Sequence, residues 1–325
     1  MSDAIYVREG CEDNRVVVAA AVATGEIRQL ANGRAGVYTG LKGADAGDNS
    51  NFTMEGKYTV TKAASQVWID GGPIWWDHSA NAATCIPRMG AGDRDFFLGT
   101  AVGDATSAAT TGVVNLNVQP VYEIDLARDA FDVLPVKTVV GSTTVEVPHV
   151  EPRGGGMTMI LGTTAEAQKL DLLSERSFAV ESNWIIEGEL VIQTNGDASA
   201  VDFNIGVANA THATSADSIT EYCFLHTDGN ALLINAQSTD GTTTVAATDT
   251  TVAFVVGTPF SFVMDGRDTS DIQIYINGVN VLPSSVFKLN AATGPLKLLA
   301  HLEKTSDDSP GTYQINKLRV RTAEQ

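Results

Sequence analysis

From Arg15 to Val320 the chain repeats one pattern: short runs of β-branched and aromatic residues, each closed by Gly, Asn, Asp, Ser or Thr. Residues 15–22, 96–103, 112–118, 185–192, 201–207, 260–264 and 296–299 are runs of this kind. Short, regularly spaced strands bounded by turn residues build sandwiches and barrels rather than βαβ units. The pattern predicts an all-β protein. One stretch, residues 163–176 (TTAEAQKLDLLSER), reads instead as a helix. Thr163 or Thr164 can cap it, Glu166 falls in its first turn, and Leu170 and Leu173, with Ala167, share a face.

A length of 325 residues suggests two domains at about 100–200 residues each. The first β-rich unit spans 1–119 and reads as a small barrel. Residues 120–176 read as a mixed connector, with strand pattern at 131–140, then Pro152 and the run Gly154-Gly155-Gly156, then the helix. Consecutive glycines weaken regular structure and predict a bend. Residues 177–325 read as an antiparallel sandwich, within which the Thr-rich stretch 238–251 predicts a hairpin with exposed threonines.

Charge narrows the partners. Lys and Arg total 21 against 39 Asp and Glu, a net charge of −18. Such a chain repels nucleic acid and anionic lipid, so neither is an expected partner. No run approaches the ~20 apolar residues of a membrane helix. Residues 1–10 show no apolar signal core, so assembly in a host cytoplasm is expected. Residues 1–120 carry 9 basic and 13 acidic residues, whereas 177–325 carry 7 and 17. The C-terminal part is thus the more water-facing, and the first part the more able to sit against another protein. Cys11, Cys85 and Cys223 are odd in number and far apart, which argues against a disulfide framework or a zinc site.

In the first third, GKYTVTK at 56–62 is followed by SQVWIDGGPIWWD at 65–77, FLGTAV at 97–102 and GVVNL at 112–116. Trp68 and the pair Trp75-Trp76 flank Gly71-Gly72-Pro73, a tight turn whose arms can pack aromatics across strands. Adjacent strand residues face opposite sides, so Trp75 and Trp76 cannot both enter one small core. One of them belongs at a surface or interface, or else at a half-exposed core rim. This succession resembles the decoration (head-stabilising) proteins of tailed-phage capsids. Their pattern is a G-x-F/Y-x-L/V-x-K strand, a G-Q-x-W-x-x-G-x-x-(Y/W)-W-D hairpin, an I/L-G-x-A strand and a G-x-V-x-V-x-L strand. Ser65 departs from it, standing where glycine is usual, and puts the local turn in doubt. The resemblance implies a homotrimer on the outside of the virion, with the major capsid protein as partner and an N-terminal arm touching the shell. Ile5, Tyr6 and Val7 are the apolar residues of such an arm, or of an ordinary first strand. Together with Trp68, Trp75 and Trp76 they are the expected capsid or trimer contacts.

In the C-terminal half, Ile272, Ile274 and Ile276 alternate to one face, and Asn277-Gly278 is a strong two-residue hairpin turn before Val279 and Val281. Phe260–Met264 alternates ahead of it. The last strand, 313–320, slips phase at Asn316-Lys317, which predicts a bulge. This order resembles the concanavalin-like or laminin-G-like jelly roll. Proteins of that fold often bind sugars, which makes host-surface glycans a candidate partner, but fold alone does not confer function.

Residues for chemistry are sparse. Glu187-Gly188-Glu189 places two carboxylates on one strand face, as a glycosidase would need, yet an acidic surface explains them better. Asp265, Asp268 and Asp271 offer oxygens for calcium, though DGRDTSD reads more simply as a turn. Five scattered histidines match no metal spacing, and no nucleophile elbow, phosphate loop or dinucleotide fingerprint occurs. No cofactor, no metal and no catalysis are expected. Two readings follow: a structural capsid-decoration protein displaying a jelly roll outward, or a carbohydrate-binding adhesin or hydrolase of the virion surface.

Overall fold

The computed structural model describes residues 13–87, 95–126, 136–146, 156–196 and 201–322. The chain forms two compact units, Met1–Pro120 and Val121–Gln325, and both are built of antiparallel strands. Among the described residues no helix is long and apolar enough to cross a membrane.

The first unit holds two sheets. One pairs β1 (Asp13–Val17), β4 (Asn49–Thr53), β3 (Ala35–Tyr38) and β2 (Ile27–Gln29), in that order. The other runs β5 (Lys57–Thr61), β9 (Thr111–Leu116), β8 (Phe96–Ala101), β6 (Pro73–Asp77), β7 (Ala82–Thr84). Val60, Trp68, Ile74, Trp76, Leu98 and Val114 fill the core of the second sheet, joined by Ala35 and Val37 of the first. Asn117 ties the sheets together. Its amide exchanges two hydrogen bonds of 2.9 Å with the backbone of Ala35 and donates a third, of 2.7 Å, to the Met54 carbonyl. It does so at φ +59°, a conformation asparagine tolerates better than most residues.

The motif glycines have steric reasons. A Cβ on Gly112 would lie 2.2 Å from the Trp68 ring, so the flat indole and the bare strand require each other. The same device recurs in the second unit, where Gly188 faces Phe262 and Gly266 faces Trp184 as direct cross-strand pairs. Gly71 has φ +72° and Gly72 donates to the Ile69 carbonyl, which closes the turn between Trp68 and Trp75. Ser65 sits at φ +62°, which is why glycine suits that position.

The second unit is a two-sheet sandwich of jelly-roll type. One sheet runs β12 (Thr143–Glu146), β13 (Met157–Leu161), β24 (Gly311–Thr322), β15 (Trp184–Thr194), β20 (Phe260–Gly266), β21 (Gln273–Ile276), β22 (Val279–Asn280), with β10 (Ile124–Asp125) also on β24. The other runs β11 (Val136–Val140), β14 (Glu166–Leu173), β23 (Lys297–Asp307), β16 (Val201–Ala208), β17 (Glu221–Asp228), β18 (Leu233–Asp240), β19 (Thr244–Ala253). One core lies between them, with Trp184, Phe203, Phe262, Phe287 and Tyr313 at its centre. Asn277 and Gly278 both have positive φ, as the hairpin turn between β21 and β22 demands. The pairing of β15 with β24 skips Asn316, the position where the sequence slips phase. β18 and β19 make the Thr-rich hairpin.

The expected helix at 163–176 is not formed: Glu166–Leu173 is strand β14, paired between β11 and β23. The apparent helical spacing of Leu170 and Leu173 is overridden by alternation, with Leu170 and Leu172 in the core and Lys169 and Asp171 on the opposite face. Tertiary pairing outweighs a local propensity of a few tenths of a kcal/mol per residue. Glu166 does not serve a helix N-terminus but accepts the Ser142 backbone N–H. The 120–176 segment supplies β10 to β14 to the two sheets of the second unit.

Candidate functional site

In the first unit, alternation along β6 sends Ile74 and Trp76 inward, at 1% and 5% exposure, and leaves Trp75 half-buried on the outer side. Trp68 is 1% exposed. Both inward tryptophans lie in their own core, whereas Trp75 is on the outer face. It meets Phe97 edge-on, with ring centroids 6.0 Å apart. Pro73, Val113 and Asn115 lie half-buried on the same outer face, and none of these five residues is charged. Ile5, Tyr6 and Val7 lie outside the described residues.

The motif lysine is structural. Lys62 is buried at the end of β5, and its ammonium donates to the carbonyls of Ala63 and Ala109. Burial lowers its pKa, against the opposing charge of Cys85.

In the second unit the Glu187/Glu189 pair is locked into the outer face of β15. Arg321 Nε donates to Glu187 at 2.9 Å and the Tyr122 hydroxyl donates to it at 2.6 Å. Glu189 takes Lys317 at 3.1 Å and the Asn316 amide at 2.8 Å. Gly188 between them faces inward, under Phe262. Arg321 and Lys317 thus offset the charge of the pair from within its own sheet. In DGRDTSD, Arg267 grips Asp265 through two bonds, and Asp268 accepts from Ser270. Asp265 and Asp268 are thus spent on the turn itself, and no cluster able to hold a metal occurs among the described residues.

A polar band across the other sheet is the feature that sequence reasoning missed. Asp171, His301, Asn204 and His226 stand opposite one another on four adjacent strands. Two residues along each strand lie Lys169, Glu303, Asp202 and Asp228, again in register. His301 Nδ1 is 2.5 Å from Asp171, and its Nε2 lies 3.3 Å from Glu303. His226 stands 3.2 Å from both Asp202 and Asp228. Burial disfavours the charged form of both rings, yet the flanking carboxylates outweigh it and raise each to about 9. The imidazoles are therefore cationic at neutral pH and satisfy the acids around them. The available signal was four separate pairs of polar residues at i, i+2, each straddling Leu170, Leu302, Phe203 or Thr227. Their alignment depends on strand order, which local pattern does not contain.

Solved structures with related shape include the carbohydrate recognition domain of Emp47p, at 10% identity over 57% of this chain and 90% of that one, with a TM-score of 0.40. A glycoside hydrolase family 16 endo-glucanase from Bacteroides ovatus matches at 9% identity over 55% of this chain and 85% of that one, with a TM-score of 0.39. A protein of unknown function from Shewanella oneidensis MR-1 matches at 12% over 58% and 80%, with a TM-score of 0.37. TM-scores of this size carry no argument, and the sandwich rests on the strand pairing above. No curated protein matches in sequence. The family model of the phage cement proteins matches residues 10–116, the span that holds both sheets of the first unit.

Proposed function

We propose that the protein cements a phage head: it binds the outer surface of the capsid as a trimer through its first unit and displays its second unit outward. The match of residues 10–116 to the phage cement proteins carries this reading. The edge-on pair of Trp75 and Phe97 on the outer face supports it physically, because interfaces are anchored by aromatics. The role is structural. The one carboxylate pair that resembles a glycosidase site is occupied by Arg321, Tyr122, Lys317 and Asn316. Glycan binding by the second unit is the other reading of the virion-surface role.

Shells lacking the native protein provide the test. The Trp75→Ala protein is expected to stay folded and to lose shell binding by tenfold or more. Trp76→Ala, which empties a core position, is expected to unfold the first unit. Undiminished binding by Trp75→Ala rejects this face as the capsid contact.

A further inference from the structure

A groove of 790 Å³ opens within the first unit between β2 and β5, each an edge strand of its own sheet. Ile27, Val37, Val60 and Trp76 give it an apolar floor, and Thr59 and Thr61 form one rim. The pairing shows what that rim offers. Leu116 N–H donates to Gly56, and Lys62 N–H donates to Thr110, so positions 56, 58, 60 and 62 are the ones that bond to β9. By antiparallel alternation the N–H and C=O of Thr59 and Thr61 point the other way, into the groove. On the opposite rim Tyr38 N–H donates to Glu26, and Leu30 N–H donates to Arg34. The backbone of Ile27 therefore also turns away from β3. At the end of β5 the first rim is closed, because Lys62 bridges Ala83 of β7 and Ala63 N–H donates to the Ala83 carbonyl; among the described residues the stretch with no ladder partner on its groove side is Thr59 on one rim and Ile27 on the other. Two unpaired strand edges facing each other over an apolar floor form a receptor for an extended segment.

We infer that the segment containing Ala4-Ile5-Tyr6-Val7, from a second copy of this chain, enters this groove as a strand. Twelve residues precede β1, and these four form their uncharged, β-prone run. A strand there presents alternate side chains to the floor, so Ile5 and Val7 enter together while Tyr6 faces out. Among the described residues Glu26 is the only charged side chain lining the groove, and it is held by Arg28 at 2.6 Å and by the Ala23 N–H at 2.8 Å, so an uncharged strand meets no unpaired charge there. β1 and β2 are opposite edges of one four-stranded sheet. β1, which follows the segment in the chain, thus lies at the edge of that sheet away from the groove, which favours exchange between copies. This names the contact that joins copies and rests on the oligomer of the proposed function, but not on where the capsid is bound.

The test uses the full chain. Thr59→Pro removes the groove-facing N–H without touching the bonds to β9, a substitution that edge strands accept. Ile5→Asp/Val7→Asp alters only the inserted segment and leaves the unit itself intact. Sedimentation is expected to show an oligomer for the wild type, with association weakened at least tenfold in both variants. A fluorescent peptide of residues 1–12 is expected to bind the Ile5→Asp/Val7→Asp chain and to lose at least tenfold affinity when Thr59→Pro is added. A monomeric wild type, variants that associate like the wild type, or a peptide indifferent to Thr59→Pro each overturns the inference. Shell binding is measured on the same proteins. Its loss with association intact counts against the capsid reading alone, and altered association with shell binding retained supports the groove alone.

Discussion

At the scale of single residues, three aromatic–glycine pairs explain why particular motif positions admit no side chain. Trp68 covers Gly112, Phe262 covers Gly188 and Trp184 covers Gly266, and in each the absent Cβ is the space the ring occupies. Ser65 is the converse, a side chain retained at φ +62° where its turn favours glycine. Left-handed backbone costs a residue with a Cβ about 1–2 kcal/mol, partly offset by the greater unfolded-state entropy of glycine. Ser65→Gly is therefore expected to stabilise the first unit by about 0.5–1 kcal/mol. Urea unfolding of the two proteins measures it, and a destabilised Ser65→Gly protein contradicts the strain argument.

At the scale of elements, the polar band across β14, β23, β16 and β17 links stability to pH. His226 and His301 are each raised to about 9 by carboxylates that overcome their burial. An unfolded histidine titrates near ~6.5. The stabilisation from these raised values is complete below that pH and is lost as pH rises through about 9. The second unit is expected to lose stability steadily between these limits. In His226→Gln the slope is expected to be shallower and stability near neutral pH lower. A slope unchanged by His226→Gln removes that ring from the explanation. The outer face of β15 gives a second expectation, in which Glu187→Gln/Glu189→Gln weakens the clasps to Arg321, Tyr122 and Lys317. That double variant is expected to unfold more readily and to leave no polysaccharide-cleaving activity to abolish, since the wild type is expected to have none. Turnover by the wild type that the variant loses reverses the structural reading of this pair.

At the scale of the whole molecule, the division between residues 120 and 121 separates two sets of sheets. Attachment is expected to travel with the first unit. A fragment ending at Asn117 retains the amide that joins the two sheets, and it is expected to bind shells. One ending at Leu116 leaves the Ala35 backbone and the Met54 carbonyl without that partner, at about 1–3 kcal/mol for each buried group left unsatisfied. It is expected to bind less, in proportion to its loss of folded unit. Residues 121–325 are expected to fold and remain in solution, and shell binding by that fragment alone moves attachment to the second unit. The sequence by itself determined the all-β class, the hairpin at Asn277-Gly278, the bulge at Asn316 and the likeness to capsid decoration proteins. Each of these is written in turn residues, alternation and motif spacing along a continuous stretch. Only the tertiary structure decided that 166–173 is a strand, that Trp68 and Trp76 are spent in the core while Trp75 is left outside, and that eight polar residues form one band. Those outcomes depend on which strand lies beside which, and pairing across 130 residues of separation, as between Asp171 and His301, leaves no local mark on the chain.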